Sequence, residues 1–212
     1  MRENYKTIGK LTESEIIIQK SRFIGYAKRA ESEQEAIEFI ESIKAKHRSA
    51  NHNCSAYIIG EHDSIQKAND DGEPSGTAGV PILEVLKKQG LKDTAVVITR
   101  YFGGIKLGGG GLIRAYGKAT TAAISASGIV ERRLHSLMAV SIDYNWLGKA
   151  ENEIRQSPYP LKEIRYTDGV EILVHVPVEK ELDFTGWINE MTNGQAMISC
   201  LEKEFLEFQM PE

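Results

Sequence analysis

The stretch Thr94–Lys118, TAVVITRYFGGIKLGGGGLIRAYGK, sets the fold of this chain. Thr94–Thr99 is β-branched and apolar, which predicts a strand buried on both faces. From Leu112 the spacing Leu112, Tyr116, Ala119, Ala123, Ala126 predicts a helix whose small residues allow close packing. Between strand and helix lie Gly103, Gly104 and Gly108, Gly109, Gly110, Gly111, six glycines in nine positions. Glycine loses the most backbone entropy on folding, so such a loop makes sense only where backbone must come close to something. The loop also opens a helix, where unpaired N–H groups and the positive end of the macrodipole favour an anion. No acidic residue occurs from Thr94 to Val130, while Arg100, Lys106, Arg114 and Lys118 are basic.

Working outward, Glu15–Gln19 and Arg22–Ala27 read as a hairpin turning at Lys20-Ser21. Ser32-Glu33-Gln34-Glu35 fits a capping box, and Ala36, Phe39, Ile40, Ile43 and His47 share one face of the helix it opens, which should end near Ser49-Ala50. Cys54–Ile59 alternates as a strand. The turn-rich Asp70–Gly79 loop follows, with Ser75 as the expected cap of a helix running to Gln89 and stopped by Gly90. Gly128 breaks the long helix and a second pattern begins: strand Leu134–Tyr144, a helical face of Trp146, Leu147, Ala150 and Ile154, and a hairpin of Leu161–Tyr166 with Val170–Val176 across Thr167-Asp168-Gly169. A second helical face, Phe184, Trp187, Ile188 and Met191, precedes a closing strand, Ala196–Phe208. The order β-α-β-β-α-β is the split βαβ, ferredoxin-like plan. The expected fold class is α+β in two domains, 1–132 and 133–212.

The formal net charge of −4 argues against general electrostatic attraction to nucleic acid, so any such contact must be local. No apolar stretch is long enough to span a membrane, and Cys54 and Cys200 read as free thiols of a reducing cytoplasm. The glycine loop is neither a Walker A loop nor a dinucleotide fingerprint. It stands as a candidate ligand or nucleic-acid site made of Arg100, Tyr101, Gly103, Gly104, Lys106, Gly108–Gly111 and Arg114, with Tyr101 or Phe102 available for base stacking. The blander reading is that the glycines only let helix pack on strand. His52, Asp70, Asp71, Glu73 and Ser75 form a second group. Its acids either brace the loops by pairing with Arg100 or Arg114, or, with Cys54, supply an alternative active site. Their spacing fits neither a calcium loop nor zinc, so no metal and no cofactor is expected.

Two motifs then carry a family resemblance. NDDGEPSGTAG (Asn69–Gly79), followed by RYFGGIKLGGGGLIRAYGKA (Arg100–Ala119), resembles the Impact family and within it the bacterial YigZ/YvyE-like branch. The family signature of Arg, two aromatics, Gly-Gly, two residues, an aliphatic and Gly is matched by Arg100, Tyr101, Phe102, Gly103, Gly104, Leu107 and Gly108. The resemblance implies an N-terminal α/β sandwich like domain 2 of ribosomal protein S5, and a ferredoxin-like C-terminal domain similar to domain V of elongation factor G. It implies a link to translational initiation, which eukaryotic relatives regulate under amino-acid starvation, a stress response. Their kinase-pathway partner is not transferred, and no catalytic residue comes with the family.

The function expected is a non-enzymatic, cytoplasmic, translation-associated regulator that binds RNA, the ribosome or a translation factor through the basic glycine loop. One alternative is a hydrolase acting on a small phosphorylated or anionic substrate at Asp70–Glu73; another is a protein–protein adapter. Oligomeric state is not legible.

Overall fold

The computed structural model describes residues 4–166 and 168–210. It divides into two compact units whose main bodies are Tyr5–Glu131 and Arg132–Glu207.

The N-terminal unit is built on β6 (Thr94–Tyr101), seven of whose eight residues are buried. It is the middle strand of an antiparallel sheet ordered β2 (Thr12–Ile18), β3 (Ser21–Arg29), β6, β4 (His52–Ile59), β5 (Ile65–Asn69). Alternation sends Ala95 and Val97 into one core with Phe39, Ile40 and Ile43 of α1 (Glu33–Lys46). Val96 and Ile98 enter the opposite core, with Ile82 and Leu86 of α2 (Gly79–Lys88) and Leu112, Tyr116 and Ala119 of α3 (Gly108–Ser127). Helices thus cover both faces, which explains the unbroken apolar run of β6. The small-residue stripe of α3 lies close against β3: a Cβ on Gly25 would come within 2.8 Å of Ala123 Cβ.

The local signals resolve as follows. Ser32 Oγ accepts the Glu35 N–H, and the reciprocal bond of the capping box lands on the Glu31 N–H instead of Ser32. That helix ends at Lys46 rather than Ser49-Ala50, with His47 as its C-cap. Gly90 and Gly128 take positive φ after α2 and α3. The cap of α2 is not Ser75, which is exposed; the helix begins at Gly79, and the carboxylate of Asp70 supplies the acceptor. Two strands carried no clear signal: β1 (Tyr5–Ile8), and β5, an edge strand with only Ile65 partly buried.

In the second unit, β7 (Ile129–Ile142) pairs with β9 (Val170–Pro177), β9 with β8 (Leu161–Tyr166), and β10 (Met197–Gln209) with β7, all in the order of a split βαβ plan. Helices α4 (Tyr144–Gln156) and α5 (Glu181–Met191) set Ala150, Ile154, Phe184 and Ile188 against Val140, Ile172 and Val174. The β8–β9 hairpin forms, with Tyr166 opposite Val170; Thr167 of its turn lies outside the described residues. No helix among the described residues is long and apolar enough to cross a membrane.

Candidate functional site

On β6, Arg100 follows Val96 and Ile98 into the α2–α3 side of the sheet. It is only 5 % exposed, so its charge must be answered locally. Glu73 answers it: Arg100 Nη1 donates to Glu73 Oε1 at 2.7 Å. Nη2 lies 3.4 Å from Ser21 Oγ, and the guanidinium sits between the rings of Phe23 and Phe102, 5.5 and 5.4 Å from their centroids. Arg100 Nε has no hydrogen-bond partner. Glu73 Oε1 also accepts the Tyr116 hydroxyl at 2.8 Å, and Cys54 Sγ lies 3.3 Å from that hydroxyl. One buried polar chain therefore ties β4, β6, α3 and the Asp70–Gly79 loop together. Burial drives the Tyr116 phenol and the Cys54 thiol well above their ordinary ranges, which disfavours a Cys54 thiolate.

The remaining acids serve the backbone. Asp70 accepts the N–H groups of Gly76, Ala78 and Gly79 at 2.8, 3.0 and 2.8 Å, and Asp71 Oδ2 accepts that of Asn53 at 2.6 Å. His52 opens β4, so it faces the same way as Cys54; its Nδ1 donates to the Asp71 carbonyl at 2.9 Å. Its Nε2 is 3.8 Å from Glu73 Oε2. Of the groups named for a hydrolytic site, only His52 and Glu73 line the adjoining cleft.

That cleft encloses about 440 Å³. It is lined by His52, Glu73 and Arg100 together with Phe102, Lys106, Gly108 and Gly109. The glycine run is not a loop: Gly108–Gly111 is the first turn of α3. Helical backbone continues N-terminally past Leu112 although glycine disfavours it by about 1 kcal/mol per residue. The N-cap, Leu107, offers no side-chain acceptor, and the first turn holds no acid, so the N–H groups of Gly108–Gly110 stand exposed and uncapped. Lys106 and Arg114 are exposed cations; Arg114 Nη1 lies 3.7 Å from where a Gly110 Cβ would sit, outside the cleft walls.

Two corrections to the sequence reading follow. Arg100 is a buried, paired charge rather than a surface cation, and the expected bracing of the loops by an acid is what Glu73 provides. Tyr101 is turned away from the cleft: its hydroxyl meets His47 Nδ1 at 2.9 Å, beside α1. The aromatic at the cleft is Phe102, 45 % exposed, and strand alternation was the signal that one of the two must face out.

The glycines divide by cause. A Cβ on Gly103 would lie 2.0 Å from the Lys20 carbonyl carbon, so this glycine is needed for contact with the β2–β3 turn. Gly104 and Gly108 have positive φ. At Gly109 a Cβ would meet only Thr77 Cγ2, at 3.9 Å, so nothing inside the protein requires glycine there. Gly103→Ala should therefore destabilise the unit by about 1–3 kcal/mol, whereas Gly109→Ala should be neutral or stabilising by up to about 1 kcal/mol. Urea denaturation of both variants distinguishes a packing glycine from one kept for an external approach.

Residues 19–124 match the Impact N-terminal domain and residues 140–195 match a domain of unknown function, DUF1949. The chain is 56 % identical to IMPACT family member YvyE of Bacillus subtilis (strain 168), covering 98 % of this chain and 95 % of the relative. This chain belongs to the IMPACT family. IMPACT family member YigZ of Escherichia coli (strain K12) is 31 % identical over 88 % of this chain and 92 % of its own. A crystal structure described as that of a hypothetical protein aligns with a TM-score of 0.61 at 29 % identity, covering 95 % of this chain and 99 % of the other. The IMPACT homologue of Saccharomyces cerevisiae (strain S288c) is also similar, 33 % identical over 42 % of this chain and 35 % of its own.

Proposed function

We propose that this chain is a non-enzymatic, translation-linked binding protein that seats single-stranded RNA in the cleft ahead of α3. The observation that carries the reading is the bare N-terminus of a 20-residue helix, opening beside Lys106 into a cleft that also exposes Phe102. Exposed amides and the positive helix end suit a phosphate. An exposed aromatic suits the face of a base, and stacking is sequence-tolerant because every base has one. Gly109, unnecessary to the fold, lets the sugar–phosphate chain approach the amides. With a net charge of −4 the protein gains nothing at long range, so the attraction is confined to a few phosphates.

The footprint sets the expected salt dependence. Two or three phosphates on a single strand give a slope of log K against log salt of about −1.5 to −2. Lys106→Ala should reduce that slope by about 0.7 and weaken binding at low salt. Gly109→Asp, which adds a negative charge at the helix start without a steric clash, should abolish binding. Fluorescence anisotropy of a labelled single-stranded RNA between 50 and 200 mM salt measures both. A chain that ignores RNA at low salt, or for which both variants behave as the parent, contradicts the proposal. Capture of a translation factor instead would favour the adapter reading.

A further inference from the structure

We infer that the cleft reads the sugar as well as the phosphate: Glu73 Oε2, with His52 Nε2 beside it, accepts the single proton of the 2′-hydroxyl of a ribonucleotide. The inference rests on the RNA-binding reading above and goes further, to the kind of nucleic acid selected.

The argument begins with hydrogen-bond capacity. Glu73 is 8 % exposed, and its Oε1 already accepts from Arg100 and Tyr116. Its Oε2 accepts no hydrogen bond from the described residues, and His52 Nε2 lies 3.8 Å from it, beyond hydrogen-bond reach. A carboxylate oxygen buried beside a cleft calls for a donor. On His52, Nδ1 faces the Asp71 carbonyl, which only accepts, so the proton sits on Nδ1. In the neutral ring Nε2 then presents a lone pair. The two atoms stand 3.8 Å apart, and their residues line the same cleft as Lys106, Gly108 and Gly109, which suit the phosphate.

What the ligand must bring is therefore an anion at one end and a hydrogen-bond donor a short distance away. Phosphates and base faces are shared by RNA and DNA, but within a strand only the ribose 2′-hydroxyl adds a donor to the sugar. Deoxyribose would cover Glu73 Oε2 without pairing it, a costly outcome for a buried carboxylate. Arg100 and Tyr116 hold Glu73 in place from behind, and the Asp71 carbonyl holds His52, so the pair is positioned before any ligand arrives.

The test uses the full chain and needs no variant. Single-stranded RNA, the same sequence as DNA, and the same sequence as 2′-O-methyl RNA compete for the protein at low salt, read by anisotropy. The 2′-O-methyl strand keeps the oxygen and lacks the proton. DNA and 2′-O-methyl RNA should both bind at least about tenfold more weakly than RNA. Glu73→Gln, which offers an amide in place of the carboxylate, should bring RNA down to the level at which the same variant binds DNA. RNA, DNA and 2′-O-methyl RNA binding within twofold of one another would overturn the inference while leaving the binding reading intact. Binding of none of the three would overturn both.

Discussion

Glu73→Ala is expected to destabilise the N-terminal unit by about 3–5 kcal/mol, a large share of the stability of a domain this size. The physical cause is what remains. Arg100 would keep a charge that cannot be shed, at 5 % exposure, between two aromatic rings and with Nε already lacking a partner. The Tyr116 hydroxyl, fully buried, would lose its acceptor as well. The contrast within the same unit is the Arg22–Glu15 pair, whose side chains are 50 % and 36 % exposed and which, screened by solvent, should contribute little. Hydrogen exchange at the β4 and β6 amides is the suitable readout, because both tryptophans, Trp146 and Trp187, belong to the other unit. If the loss reflects a stranded charge, Glu73→Leu combined with Arg100→Met should recover most of it, leaving the cost of the Tyr116 hydroxyl. A double variant as unstable as the single one would show that the ion pair positions the loop and that the charge itself matters little.

The same residues show why some features were legible in the sequence and others were not. β6 was readable because burial on both faces leaves an unbroken β-branched run, and the C-terminal unit because each of its elements carries its own periodicity. β5 was not, since an edge strand with one partly buried residue looks like loop. The first turn of α3 was read as loop because four glycines oppose helix locally; packing of Leu112, Ala115, Tyr116 and Ala119 settles the matter from further along the chain. At the site, the sequence offered two states for Arg100, a cation of the glycine loop or the partner of an acid from Asp70–Glu73, without deciding between them; the structure shows the pairing. Arg100 as a cation and Glu73 as an acid are visible in sequence. That they neutralise each other, leaving Lys106 as the cation of the cleft, depends on a contact across 27 positions. Ser75 failed as a cap for the same reason: the acceptor that won came from Asp70, nine residues before the helix start.

That substitute cap makes the second large prediction. Asp70→Ala should cost about 3 kcal/mol, because one carboxylate serves three backbone donors and two of them, on Ala78 and Gly79, are buried at the start of α2. Water cannot readily replace it, since a Cβ on Gly79 would already lie 2.5 Å from the Asn69 nitrogen. The pH dependence follows from the same contacts. Burial alone would raise the Asp70 pKa; the three N–H donors, from Gly76, Gly79 and Ala78, outweigh it and hold the carboxyl below its ordinary value. A folded-state pKa below that of the unfolded chain means that the unfolded state takes up the proton first as pH falls. The stabilisation is therefore complete above the unfolded value of about 4 and is lost as pH drops through the folded one. Urea midpoints should show the parent well above Asp70→Ala at pH 7 and the gap narrowing below about pH 4. A gap that stays constant down to pH 2.5 would mean that the carboxylate's charge contributes nothing and that Asp70 acts by shape alone.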